Sequence, residues 1–286
     1  MKGKPFTIQT YFPNGNPRSI QISHVPTRTV QSILIPRDDL KEAISLREEL
    51  NYNGLYFLFE EEGYLQANGE TFVYIGESED VADRLKNHVT NKKDWIVAIV
   101  FTTNSETNQL TKADIKYLEN YCYQKSLEAN RYKLKQNVPK KSFISEARRA
   151  DLEDIFQSIS TLLNFSGYPL FMPLVSSDNL STDQEIFYLN IRQSSAKAVY
   201  SKDGMTVLKG SKITAKNETK GFQRQKLLNQ LIISEVIDAS GMFLKDYTFT
   251  APSTAADILS KGSYNGWKEW KNVDSKTLDE LIERNS

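Results

Sequence analysis

Two tyrosines, an arginine, a histidine and a glutamate spread over residues 54–119 are the side chains whose types could do chemistry together. Gly54-Leu55-Tyr56 and Tyr74-Ile75-Gly76 each set a phenol near a glycine, Arg84 and His88 stand one helical turn apart, and Glu119 and Asn137 follow. A phenol takes up a proton only if its pKa, normally about 10, is drawn down by nearby cations, which Arg84 and a divalent ion could supply. The planar guanidinium of Arg84 is shaped to grip an oxyanion. A single carboxylate such as Glu119 suits magnesium, which keeps most of its waters and takes further oxygens from its substrate.

Each residue also has a plainer reading. The chain has 14 tyrosines, and strands favour them, so a Tyr-Ile-Gly triplet alone says little. Arg84 and His88 at i and i+4 describe a solvated helix face, with Asp80 as a surface ion-pair partner. Glu119 is harder to dismiss, because a carboxylate at the edge of an apolar stripe is costly unless exposed or paired.

The elements that must position these groups can be read from pattern. Alternation around Ile8 to Phe12, a turn at Asn14-Gly15-Asn16-Pro17, alternation through Ile22 and an apolar run from Val30 to Ile35 predict a small β-unit. A short helix follows through Leu40 and Ala43, and a boundary is expected near residue 50. Leu55 to Glu60 and Thr71 to Ile75 predict a hairpin with a long polar loop. Ser78 is the expected N-cap of a helix that turns Val81, Leu85 and Val89 inward. Trp95 to Phe101 predicts a central strand buried on both sides, and Thr111 with Asp114 a capping box opening a helix through Ile115, Leu118 and Cys122. A helix from Ser145 to Phe165 reads as a connector, and Ser176 to Thr182 as a linker. Strands near residues 187–191, 198–200 and 205–208, a helix over 222–237 and two C-terminal helices complete the pattern. The fold class is therefore α+β, divided as a β-rich unit with a short helix (1–49), a middle domain (50–140), a connector (141–180) and a C-terminal α+β domain (181–286).

Composition narrows the function classes. One cysteine, Cys122, excludes an intramolecular disulfide and thiolate zinc sites, and two histidines exclude zinc motifs built on histidine pairs. A reducing, cytoplasmic setting is expected. The longest apolar run is far below the roughly 18 residues a membrane span requires, and no apolar signal core is visible in the first 25 residues. Lys and Arg number 36, equal to Asp and Glu. Charge is nevertheless uneven: residues 81–150 hold 14 basic against 7 acidic side chains, and residues 151–190 hold six acids and no Lys or Arg. A basic zone thus lies inside a neutral chain, with Lys86, Lys92, Lys93, Arg131, Lys133 and Lys135 as candidate substrate contacts.

Taken in order, the two glycine-tyrosine motifs, Arg84, His88, Glu119 and Asn137 resemble the GIY-YIG nuclease family over residues 50–140. The resemblance implies a small three-stranded mixed sheet flanked by helices and a metal-dependent endonuclease, possible settings being defence, restriction or repair. It makes Tyr56 the candidate base, Tyr74 a group orienting water or a phosphate oxygen, Arg84 the phosphate clamp, and His88 a partner of Tyr56 or of the leaving group. Glu119 becomes the ligand of Mg2+ (or Mn2+), and Asn137, with Asn130 as alternative, a residue tying the site together. The implied partner is nucleic acid, DNA before RNA, with no membrane; one centre cuts one strand, and the oligomeric state stays open. The other expectation kept beside it is a nucleic-acid-binding module of the same fold that is inactive alone. Leu55 replaces the family's usual Ile, the hairpin loop is long, and Glu77 stands where a small or basic residue is common and would repel a phosphate. The segment Arg28 to Arg37, Gly167-Tyr168-Pro169 and the C-terminal residues Lys209-Gly210-Ser211, Pro252 to Ala256 and Asn265 to Trp270 look like a bacterial architecture in which such a domain precedes a domain of unknown function. There Trp267 and Trp270 are expected either to pack a small core or, with Lys209, Lys212, Lys216 and Lys220, to meet nucleic acid.

Overall fold

A computed structural model of the chain describes residues 5–60, 71–91, 94–104, 109–173, 175–178, 180 and 184–282. They form two compact units, residues 1–173 and 174–286, and the chain is α+β throughout.

The first unit is built on one sheet. Strands β1 (Gln9–Tyr11), β2 (Gln21–His24) and β3 (Val30–Pro36) lead to helix α1 (Leu40–Leu46), then to β4 (Gly54–Phe59), β5 (Phe72–Ser78), helix α2 (Val81–Asn91), β6 (Val97–Thr103), helix α3 (Lys112–Ala129), β7 (Lys133–Leu134) and helix α4 (Glu146–Phe165). The strand order is β1-β2-β3-β6-β4-β5-β7. The expected three-stranded sheet is thus the β6-β4-β5 portion of a sheet of seven strands. β3 lies antiparallel to β6 from Val30↔Thr103 to Pro36↔Val97, so the first three strands continue this sheet and residue 49 does not end a compact unit. The physical reason is the apolar character of β6, which needs a hydrogen-bonded neighbour on each edge as well as cover on both faces. Pairings are antiparallel except β5 with β7, which run parallel.

Alternation along each strand sorts side chains between two apolar layers. Leu55, Phe57, Phe59, Val73, Ile75, Ile99 and Phe101 pack with Leu118 and Cys122 of α3 and with Leu152, Phe156, Ile159 and Leu163 of α4. Helix α4, expected as a connector, is therefore core of the first unit: its apolar stripe is covered by the sheet, and Arg148 pairs bidentately with the buried Asp114 at 2.8 and 3.0 Å. The opposite face carries Tyr56, Leu58, Ala98, Val100, Ile33 and Ile35 against Val81, Ala82 and Leu85 of α2.

Local chemistry explains the helix ends. The capping box of α3 is present, Thr111 Oγ1 accepting from Asp114 N and Asp114 accepting from Thr111 N. Ser145 caps α4 by accepting from Arg148 N. At α2 the cap is Asp80, whose carboxylate accepts from Asp83 N at 2.9 Å, one turn's start later than the expected Ser78. A carboxylate facing the free N–H groups of a first turn is the better acceptor, and the Ser78 hydroxyl instead bonds the Asp80 backbone.

The second unit contains β8 (Ile186–Leu189), β9 (Ala196–Ser201), β10 (Gly204–Val207) and β11 (Tyr247–Phe249) in the antiparallel order β11-β10-β9-β8. Helices α5 (Gln225–Ile233), α6 (Pro252–Ser260), α7 (Gly266–Glu269) and α8 (Leu278–Leu281) complete it. Helix α5 is shorter than the periodicity of 222–237 suggests, because Val236 to Leu244 folds back as a bridged turn, Leu244 N donating to Val236 O. Strand β11 has only three residues and no legible alternation. No helix among the described residues is long and apolar enough to cross a membrane.

Candidate active site

Tyr56 lies in mid-sheet on β4, opposite Gly76 of β5. Its ring needs the space that Gly76 leaves: a Cβ there would sit 2.3 Å from the Tyr56 hydroxyl. Gly54 is tight for a different reason, since a Cβ would meet Val81 Cγ2 at 2.9 Å and the Phe101 carbonyl at 3.0 Å, where α2 begins against the sheet. Each glycine of the two motifs is thus a close-approach position in the packing.

The fully buried Tyr56 hydroxyl receives the Arg84 Nε–H at 3.1 Å and lies 2.9 Å from His88 Nε2. Arg84 and His88, one turn apart, reach the same oxygen from α2. Tyr74 completes an aromatic cluster, 6.2 Å from Tyr56 and nearly parallel to it, and 5.3 Å from His88 edge to face. His88 is 4% exposed, while Val89, expected inward, faces out. The inward stripe of α2 runs Val81, Leu85, His88, an i, i+4, i+7 series that a histidine enters because Tyr56 satisfies its ring nitrogen.

Electrostatics in the cluster run against one expectation. Burial pushes the Tyr56 phenol well above its ordinary range, and Tyr74 and Glu119 add to this, outweighing the hydrogen bond and charge of Arg84. Tyr56 therefore holds its proton, instead of standing ready as a phenolate. The bond to Tyr56 correspondingly raises the Arg84 guanidinium. Glu119, on α3, is pushed up to about 7, first by burial and then by the neighbouring Glu77, with Arg84 and Lys116 pulling the other way.

Glu77 is the residue that reading the sequence undervalued. It follows Gly76 on β5 and pairs in register with Leu55, whose side chain points to the α3 side. Its charge acts on Glu119 and on Lys112, which itself forms an ion pair with Glu79. The signal was its position directly after the second glycine motif. Two hard oxygen donors with mutual repulsion fit a divalent cation, which would relieve it. Among the described residues no group of three or more His, Cys, Asp or Glu side chains is arranged around one point, so such an ion would take most of its ligands from water and substrate.

The remaining candidates separate. Asn137 is exposed beyond β7 and makes no hydrogen bond to these side chains among the described residues. Its segment does run beside the site: Lys135 N donates to Val73 O at 3.1 Å, and Asn120 Nδ2, next to Glu119, donates to Pro139 O at 2.8 Å. Asn130 is the left-handed C-cap of α3, φ 48°, a position that suits asparagine for backbone reasons. Arg131, expected on substrate, is buried and gives its guanidinium to the carbonyls of Met172 and Pro173 at 2.6 and 3.5 Å. Lys135 pairs with Glu60 and with Asp94 at 3.6 Å and lies over the Phe72 ring. Lys86 and Lys133 are exposed, and Lys92 and Lys93 lie outside the described residues.

In the second unit Trp270 is fully buried and donates its indole N–H to Pro252 O at 3.1 Å. Gly266 abuts the same carbonyl, where a Cβ would approach to 2.3 Å, and its N–H bonds Ser253 Oγ at 3.0 Å. Residues 187–282 match the model of a domain of unknown function, DUF4357. No curated protein and no solved structure matches the chain. Within the DUF4357 match, Trp267 packs edge to face on Tyr200 at 5.4 Å, and Lys209, Lys212, Lys216 and Lys220 are all exposed.

Proposed function

We propose that the first unit is a metal-dependent endonuclease of the GIY-YIG kind, hydrolysing phosphodiester bonds in DNA in the cytoplasm. The observation that carries this reading is the junction at the Tyr56 hydroxyl, where Arg84 Nε–H donates and His88 Nε2 lies within hydrogen-bond distance. In that arrangement Tyr56 works as a relay. As water attacks phosphorus, one of its protons passes to the phenol oxygen while the phenol proton passes to His88 Nε2; the bond from phosphorus to the departing sugar oxygen breaks and that oxygen takes a proton from solvent water, so the products are a phosphomonoester, a free hydroxyl end, an imidazolium and a hydroxide that later takes the imidazolium proton. Arg84, lying outermost of the cluster, holds a non-bridging oxygen and keeps Tyr56 oriented. Tyr74 fixes the rings by stacking and edge contact. Glu119, with Glu77 beside it, would hold magnesium or manganese, which supplies positive charge for the developing oxyanion when bound.

The test is cleavage of supercoiled plasmid and labelled single-stranded DNA by the full chain, with magnesium or EDTA, alongside Tyr56→Phe and Glu119→Ala. Metal-dependent cutting by the wild type, and loss of at least roughly 100-fold in both variants, about 2.7 kcal/mol of transition-state stabilisation, are expected. Equal cutting by wild type and variants would falsify the assignment. The complete burial of Tyr56 favours a second reading, a DNA-binding module that needs a partner to open the site. Salt-dependent binding without cutting by the wild type would select it.

A further inference from the structure

Between β7 and α4 the chain is neither helix nor strand, and it passes beside the candidate site. Asn120, next to Glu119 on α3, donates its Nδ2–H to Pro139 O at 2.8 Å. At the other end Ile144 is buried in the core, and Arg148, in the first turn of α4, grips Asp114 at 2.8 and 3.0 Å. The run is thus pinned to α3 at Asn120 and at Asp114, about 9 Å apart along the helix.

What lies between the pins is turned to solvent. Lys140 and Lys141 are exposed, Val138 is 63% exposed, and Phe143, at 92%, is the most exposed large apolar side chain among the described residues. Through backbone or side chain, residues 140–143 form no hydrogen bond or ion pair among the described residues. A lone exposed apolar residue is ordinary on a protein surface. This one comes with two unpaired ammonium groups, unbonded backbone N–H groups and the exposed amide of Asn137. Lys116, one turn before Asn120 on α3, is exposed as well, and its charge reaches Glu119. The neighbouring acid Glu146 stands in the first turn of α4, where the N–H groups of the helix end attract its charge.

Cations and backbone N–H groups meet phosphates, and a ring meets a base; together they are the parts that hold a nucleic acid strand. A protein partner would call for continuous apolar surface and a membrane for an amphipathic helix, whereas here lysines separate Val138 from Phe143 and the run is not helical. We infer that residues 138–143 bind single-stranded DNA, with Phe143 stacked on an unpaired base and Lys140 and Lys141 on its phosphates. A base stacked on a side chain has left its duplex, so the strand and not the double helix is the ligand. Phe143 is four residues from Pro139, at most about 14 Å, so a strand held here runs past Glu119. That this strand is the one cleaved rests on the nuclease reading; that the run binds it does not.

Fluorescence anisotropy of the full chain in EDTA, with a labelled single-stranded oligonucleotide and with the same sequence as a duplex, reads binding without cleavage. Saturable binding of the strand, tighter than that of the duplex, is expected. Phe143→Ala should weaken it roughly tenfold and leave its salt dependence unchanged, while Phe143→Trp should retain it. Lys140→Gln combined with Lys141→Gln should lower the slope of log affinity against log salt by about 1.4, two phosphates at about 0.7 each. All three positions are exposed, and thermal melts identify any loss that is only misfolding. No saturable strand binding, a duplex bound as tightly as the strand, or Phe143→Ala binding as tightly as the wild type would overturn the proposal. An unchanged salt slope in the double lysine variant would do the same. Strand binding through Phe143 by a protein that cuts no DNA keeps the platform and removes the nuclease; cleavage that requires Glu119, with strand binding indifferent to Phe143, does the reverse.

Discussion

The two units differ in the titratable groups they bury. In the second, Ser194 and Ser260 bond backbone carbonyls of their own turn and helix, Ser211 and Thr214 bond the carbonyls of Lys197 and Arg192 on another segment, and Asn272 receives the N–H groups of Asp274 and Lys276. Each such bond ties a neutral side chain to the backbone. In the first, Tyr56, His88 and Arg84 bond one another side chain to side chain, and Glu119 sits half-buried among charges. A neutral hydroxyl bonded to a backbone carbonyl carries no charge to move; a cluster of titratable side chains keeps a proton or a charge in play. The contrast is the ground on which the proposed function puts its chemistry in the first unit, while Trp270 of the DUF4357 region packs into a core.

The sharpest way to break that comparison is Trp270→Ala. Removing a fully buried indole should cost about 3–5 kcal/mol and lower the melting transition of the second unit in calorimetry, leaving that of the first in place. A fall in both transitions would show that the units do not fold separately. Gly76→Ala comes next. The new Cβ would collide with the Tyr56 hydroxyl, so about 1–3 kcal/mol of stability should be lost from the first unit, together with the Arg84 and His88 bonds. Urea unfolding and the cleavage assay read the two effects; a variant as stable and active as the wild type would sink the geometry given for Tyr56.

Smaller, and opposite in sign, is Glu119→Gln. The folded carboxyl near 7, against an ordinary 4.5, means the native state holds an extra proton between those values. Stability from this group therefore falls as pH rises from the lower value to the higher, and the penalty is complete above it. Glutamine removes it, so at about pH 8 the variant should be more stable by about 1–2 kcal/mol, less than the full shift because Glu119 is partly solvated. No gain at that pH, or a gain confined to acid, would contradict the half-buried carboxylate. The same titration predicts that metal-dependent cleavage rises with pH through about 7, since the carboxylate must lose its proton to hold a cation. A pH–rate profile flat across that range would exclude Glu119 as the ligand.

The resemblance of residues 50–140 rests on an ordered set of residues, of which Arg84 and His88 meet at the Tyr56 hydroxyl, with the Tyr74 ring beside them. Their order was legible because strands and helices here carry clean periodicity. That His88 and not Val89 turns inward was not legible, since a helical stripe tolerates either and the choice depends on a phenol 32 residues away in sequence. Arg131 looked like part of a basic stripe for the same reason: nothing near it announces the carbonyls of Met172 and Pro173.

What the sequence determined by itself is what neighbours within one turn decide. The Thr111–Asp114 box, the Ser145 cap and the apolar run of β6 all follow from contacts of short range. Tertiary structure alone decided that β3 joins β6, that α4 belongs to the first core, and that Tyr56 and Glu119 titrate far from their ordinary values. Hydrogen bonding along a strand edge, burial and charge are set by whatever arrives from elsewhere in the chain, and no local pattern of residues records what that will be.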